Sequence, residues 1–145
     1  MIAVNFPNPA FRLKKQQGVE LIFDDIRRQW LVLNDEEWVR QNFIQYLVQT
    51  LNYPSAFIAV EKEIKLGELK KRFDILIYDS AHKPWMMIEC KSAAINLGDA
   101  AMHQVLRYNI SVPVSFLVIT NGATTYGWEK VGRDLILINQ MPSWK

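Results

Sequence analysis

Two short segments constrain this chain more than anything else in it. They are Arg72-Phe73-Asp74-Ile75-Leu76-Ile77-Tyr78 and Trp85-Met86-Met87-Ile88-Glu89-Cys90-Lys91. Alternate side chains of a strand share a face. In the first segment Phe73, Ile75 and Ile77 make one wholly apolar side, against Arg72, Asp74, Leu76 and Tyr78 on the other. In the second, Trp85, Met87, Glu89 and Lys91 oppose Met86, Ile88 and Cys90. Each strand therefore has one dry face, and a second face that is apolar near the intervening turn and charged at its far end.

Directly opposed residues of an antiparallel pair point to the same face. If Ser80-Ala81-His82-Lys83 is a four-residue turn, Tyr78 opposes Trp85, Leu76 opposes Met87, and Asp74 opposes Glu89. A two-residue turn or a bulge keeps the two acids together. A plain five-residue turn separates them. Adjacent carboxylates under a covering helix repel and lose hydration, a costly arrangement without a cation. Oxygen ligands of this kind suit Mg²⁺ or Mn²⁺, which are held by one or two carboxylates. Lys91, two residues from Glu89, projects to the same side and can orient a water or offset charge on a phosphate. The plainer alternative is a salt bridge of Lys91 with Asp74 or Glu89 at a sheet rim, since Glu-x-Lys alone is common.

The rest of the chain supplies a setting for this pair. Its 145 residues suit one domain. Residues 1–33 read as an irregular N-terminal arm followed by short strands at 19–23 and 30–33. Residues 34–128 read as the core, and 129–145 as a C-terminal strand and tail. Asn34 or Asp35 caps a first helix, with Glu36 and Glu37 in the dipole-favoured first turn. Trp38, Val39, Phe43, Tyr46, Leu47 and Leu51 repeat at helical spacing until Asn52-Tyr53-Pro54 stops it. Strands are expected at 57–64, 72–78 and 85–91, a helix at 99–109, a buried strand at 115–120, and closing strands at 124–128 and 135–138. That order, α-β-β-β-α-β, implies an α/β fold with a mixed sheet flanked by helices.

Composition excludes several chemistries. One cysteine rules out an internal disulfide framework, and two histidines leave little for zinc or triad catalysis. No apolar run reaches the roughly 18 residues of a membrane span, and the N-terminus lacks the pattern of a secretory signal. A cytoplasmic location is the simplest expectation. The net charge of +2 does not by itself call for nucleic acid. Lys14-Lys15, Arg27-Arg28 and Lys70-Lys71-Arg72 are short basic clusters that suit either phosphates or plain solvation. Arg40 suits a phosphate contact or a surface pair with Glu36 or Glu37. Gln104 and Tyr108 share one helix face and are explained equally by ordinary packing.

At these residues the sequence resembles the PD-(D/E)xK nuclease superfamily. More narrowly, it is similar to the nuclease-like domain at the N terminus of type I restriction enzyme R subunits. The likeness runs through EEWVRQNFIQYL (36–47), RFDILIYD (72–79), MIECKS (87–92), QVLRYN (104–109) and FLVITNG (116–122). The resemblance implies a restriction-endonuclease-like core in which Asp74, Glu89 and Lys91 are catalytic. It implies Asp74 and Glu89 as ligands of Mg²⁺ or Mn²⁺, joined by Glu37 from the first helix, with Gln104 and Tyr108 as supports. Lys70, Lys71, Arg72 and Arg40 are the candidates for contact with DNA. Phe73 stands where the name-giving motif has proline, a position that varies among such nucleases. Nothing here resembles the helicase motor of R subunits, so cutting is expected alone, as a homodimer, or with separately encoded restriction or defence subunits. The competing expectation is an inactive nuclease fold that binds nucleic acid or a protein partner. A small-molecule hydrolase is weaker, for want of a Gly-rich phosphate loop or a nucleophile elbow.

Overall fold

A computed structural model describes residues 1–66, 68–109 and 112–145. Strands β1 (Leu13–Gln16), β2 (Val19–Asp24) and β3 (Gln29–Val32) form a small antiparallel sheet. Helix α1 (Asp35–Gln45) follows, capped by the Asn34 side chain, which accepts the Glu37 N–H at 2.7 Å. Strands β4 (Ile58–Leu66), β5 (Leu69–Tyr78) and β6 (Pro84–Cys90) come next, then helix α2 (Asp99–Asn109). Strands β7 (Phe116–Thr120), β8 (Thr125–Val131) and β9 (Asp134–Ile138) complete a six-stranded sheet in sequential order. Among the described residues only β6 and β7 pair in parallel, and α2 makes the crossover between them. The result is an α/β fold with a mixed sheet.

Two apolar clusters fill its two sides. On the α1 side Val39, Phe43 and Leu47 meet Ile58, Ile75, Ile77, Met86, Ile88 and Val118. On the α2 side Met102 and Leu106 pack against Phe73, Leu76, Met87, Leu117, Ile119 and Trp128. Both faces of the central strands are thus dry, which explains their near-continuous apolar runs.

Several expectations need correction. The arm is not wholly irregular, because Leu13–Gln16 pairs with β2 across a turn in which Gln17 and Gly18 both take positive φ. The first helix leaves α geometry early and closes with a π turn over Tyr46–Thr50. The closing strand expected at 124–128 runs instead from Thr125 to Val131 as β8. Trp38, which opens the helical repeat, is 38% exposed and packs edge-on against Phe11, so the buried stripe begins at Val39. The first residues also belong to the core layer. Ile2 is buried and donates its backbone N–H to the Thr125 carbonyl at 2.8 Å. A Cβ at Gly127 would come within 2.8 Å of the Ile2 Cδ1 and 3.2 Å of the Ile138 side chain, so glycine lets both isoleucines pack across β8 without shifting. Among the described residues, no helix is long and apolar enough to cross a membrane.

Candidate metal and phosphate site

The β5–β6 hairpin brings Asp74 and Glu89 together by a route the sequence only partly anticipates. Ile75 opposes Ile88 and Leu76 opposes Met87 as expected, but Tyr78 opposes Pro84 instead of Trp85. The connection is residues 79–83, a five-residue turn that alone would reverse the parity. A register shift at Ile77/Tyr78 restores it, leaving Trp85 as the extra residue. Trp85 therefore turns to the α1 side beside Met86, away from Met87. A second irregularity sits at Asp74 itself. Phe73 packs in the α2-side cluster and Ile75 in the α1-side cluster, so the expected Phe73–Ile75–Ile77 face is broken at Asp74.

That break lets the Asp74 carboxylate reach both layers. Its Oδ2 accepts the Cys90 backbone N–H at 2.8 Å, and its Oδ1 accepts from Arg40 Nη2 of α1 at 2.9 Å. Glu89 lies beside it. Burial, then the Asp74 charge and a hydrogen bond with Asp74, push the Glu89 pKa up to about 8, while Lys91 opposes the rise and Glu36 adds to it. Near neutral pH Glu89 thus keeps its proton and donates it to Asp74. Lys91 is half-buried, and its backbone N–H continues the parallel pairing by donating to the Thr120 carbonyl at 2.8 Å.

Arg40 is the largest correction. Expected at the surface, it is 4% exposed and turned inward among carboxylates. Its Nη1 donates to Glu37 at 2.6 Å, and its Nη2 lies 2.9 Å from Asp74, 3.4 Å from Glu36 and 3.4 Å from Glu61. Burial alone would lower its pKa, but Glu37 and Asp74 outweigh that and raise it, so it is a permanent cation. Glu37 does not reach the Asp74–Glu89 pair directly. Its oxygens accept from Arg27 at 3.2 and 3.3 Å, from Arg40 at 2.6 Å and from the Gln41 amide at 3.0 Å. Arg27 is in turn held by the buried Asp24, which accepts its Nε at 2.6 Å.

The other singled-out residues separate into two groups. Lys70 is exposed, and Arg72 is exposed with a 2.9 Å pair to Glu61. Lys71 is buried instead of solvated; burial lowers its pKa, and the charge of Glu89 raises it. Gln104 lies exposed on α2, and the Tyr108 side chain lies outside the described residues. His82 is exposed and stacks on Phe57, while Cys90 is buried with its thiol pKa raised by burial. Sequence reasoning missed Glu61. It sits on β4 between the Val60–Ile75 and Lys62–Phe73 pairs, hence across from Asp74, with φ 51°. Nothing in Val-Glu-Lys-Glu-Ile distinguishes it from a solvated strand residue.

Among the described residues no three His, Cys, Asp or Glu side chains stand together as metal ligands. Two carboxylates do, with burial and the Asp74 charge raising the pKa of Glu89, and Mg²⁺ needs no more than one or two because water and phosphate complete its shell. Asp74 and Glu89 therefore fit such an ion; Glu37 is one guanidinium removed from it.

The raised Glu89 pKa has a consequence for stability. The folded protein binds this proton more tightly than the unfolded chain, so without metal Glu89 costs stability progressively as pH rises from about 4.5 to about 8. Glu89→Gln is expected to raise the metal-free melting temperature at pH 8.5 by on the order of 5 °C, equivalent to about 1–3 kcal/mol. The gain should shrink toward pH 5. Thermal melts in chelator at the two pH values check this, and an equal effect at both would contradict it.

The family model for the N terminus of type I restriction enzyme R proteins matches residues 35–142. No curated protein gives a significant match.

Proposed function

The chain belongs to the family of type I restriction enzyme R protein N-terminal domains, and we propose on that premise that it is a Mg²⁺- or Mn²⁺-dependent endonuclease acting on DNA in a restriction or defence system. The observation that carries this reading is the Asp74–Glu89 pair beside Lys91, two acids side by side in a part-buried corner that a cation would relieve. A bound divalent ion would supply a Lewis acid that activates water and offsets phosphate charge. Asp74 and Glu89 would hold it. Arg40 and the Cys90 amide fix the two Asp74 oxygens in place, and Glu37 holds Arg40. The Lys91 ammonium orients the attacking water or meets charge building on the phosphate oxygens. Lys70 and Arg72 lie at the exposed end of β5, suited to the DNA backbone. The cytoplasm is the fitting compartment, with separately encoded restriction subunits or a second copy as partners.

The test is cleavage of plasmid DNA by purified protein with Mg²⁺ or Mn²⁺. Cleavage should stop in chelator and in Asp74→Ala. Cutting that survives either change would refute the reading. One observation favours a second reading, an inactive nuclease fold that binds nucleic acid: Arg40 already neutralises one Asp74 oxygen. Calorimetry with Mn²⁺ separates the two, since absence of binding at millimolar metal supports the inactive module.

A further inference from the structure

The small sheet of β1, β2 and β3 lies within residues 1–34, ahead of the stretch matched by the family model, and its two faces differ sharply. Cross-strand partners share a face. The inward set is Leu13–Ile22–Leu31, of which Ile22 is fully buried and Leu31 half-buried, with Asp24 buried beside them, while Leu13 on the edge strand is exposed. The opposite set contains Lys14–Leu21–Val32 and Phe23–Trp30, with Arg12 across from Phe23 and Gln16 across from Val19. This outer face is open: Trp30 is 36% exposed, Val19 44% and Val32 58%. Its aromatic rings stand edge to face, 5.3 Å apart, and each carries a cation. The Arg12 guanidinium lies 3.9 Å from the Phe23 centroid, and the Lys14 ammonium 4.2 Å from the Trp30 centroid.

We infer that this outer face is a binding platform for unpaired nucleic-acid strand. The inference rests on the endonuclease reading for its substrate and names a surface that delivers strand to that site. The chemistry fits in two respects. Exposed aromatics and aliphatics on a sheet offer bases a stacking surface without regard to sequence, and cations anchored over the rings stand ready for phosphates. The charge is complementary too. The acids of these strands, Glu20 and Asp24, fall on the inward set, and the acid meeting the outer face is Asp25, 3.2 Å from Arg12 at the exposed rim. The platform is also tied to the site. The β2–β3 turn carries Arg27, which contacts Glu37 and Glu61, and β3 runs directly into the Asn34 cap of α1. Strand lying on the sheet is therefore held on an element whose turn contacts Glu37 and Glu61, two of the acids that pair with the Arg40 guanidinium beside Asp74.

The experiment measures binding of labelled single- and double-stranded oligonucleotides to the full chain by fluorescence anisotropy in chelator, where no cutting occurs. Trp30→Ser is expected to weaken single-strand binding roughly tenfold or more. Arg12→Ser with Lys14→Ser is expected to reduce the slope of log affinity against log salt by about 1.4, for two lost phosphate contacts. Duplex binding should fall less than single-strand binding in Trp30→Ser. Unchanged single-strand affinity and salt slope would overturn the platform while leaving plasmid cleavage to judge the nuclease reading. Loss of single-strand binding in a protein that never cuts would uphold the platform and sink the nuclease. A shift in sedimentation from dimer to monomer without change in binding would assign the face to self-association and overturn the proposal.

Discussion

Lys91→Ala should abolish most DNA cleavage, by about 10²–10³-fold in kcat, while leaving the protein folded and able to bind Mn²⁺. Removing one preorganised positive group from a phosphoryl site costs that much because the group acts where charge develops. Lys91 is half-buried beside Glu89 and its charge favours the ionised form of that acid. The same substitution therefore raises the Glu89 pKa further. Binding a cation to the pair displaces the Glu89 proton, so calorimetry in buffers of different ionisation enthalpy reads it directly. The wild type should release close to one proton per metal near pH 7, and fewer once the pH passes about 8. Lys91→Ala should extend the release to higher pH. Cleavage at the wild-type rate would remove Lys91 from the chemistry, and binding without proton release would mean that Glu89 is not a ligand. Retained metal binding with lost turnover separates a catalytic lysine from one that merely completes a rim salt bridge.

Much of this site was legible in the chain before any coordinates, for a definite reason. Strand parity is a local property, so the alternation around Asp74 and Glu89 restricted the pair to two outcomes. Composition at the far end of each strand then identified the charged corner. Helix α2 was equally legible, since Asp99 opens it and apolar positions repeat at helical spacing. What local pattern could not give was the number of residues in the turn. Five residues and one bulge produce the same parity as four and none. The interior charges were the true blind spot. Arg40, three residues beyond Glu37, has the spacing of a solvated helical pair. Its partner Asp74 is 34 residues away and Glu61 is on another strand, so burial of the guanidinium is a tertiary fact with no local signature. The β1 strand was hidden for a different reason: Leu-Lys-Lys-Gln is exposed throughout, and Gln17-Gly18 is a weaker turn signal than Asn-Gly.

Arg40→Met should be the most damaging substitution to stability, at about 3–5 kcal/mol, a large part of what a domain this size possesses. The reason is not the loss of one ion pair. Arg40 serves Glu37, Asp74, Glu36 and Glu61 at once, and the first two are largely buried. Without the guanidinium those carboxylates keep their desolvation cost and lose their compensation. Arg40→Lys keeps the charge but not the planar fork that meets Glu37 through one nitrogen and Asp74 through another, so it should lie between wild type and methionine. One further reading makes the assignment specific to the carboxylates. Added Mn²⁺ should raise the melting temperature of the variant more than that of wild type, as the ion meets an Asp74 oxygen no longer claimed by arginine. If Arg40→Met is too unstable to purify, Arg40→Lys carries the same comparison. Melting temperatures equal to wild type for both variants would show that the buried guanidinium is not what holds these acids together.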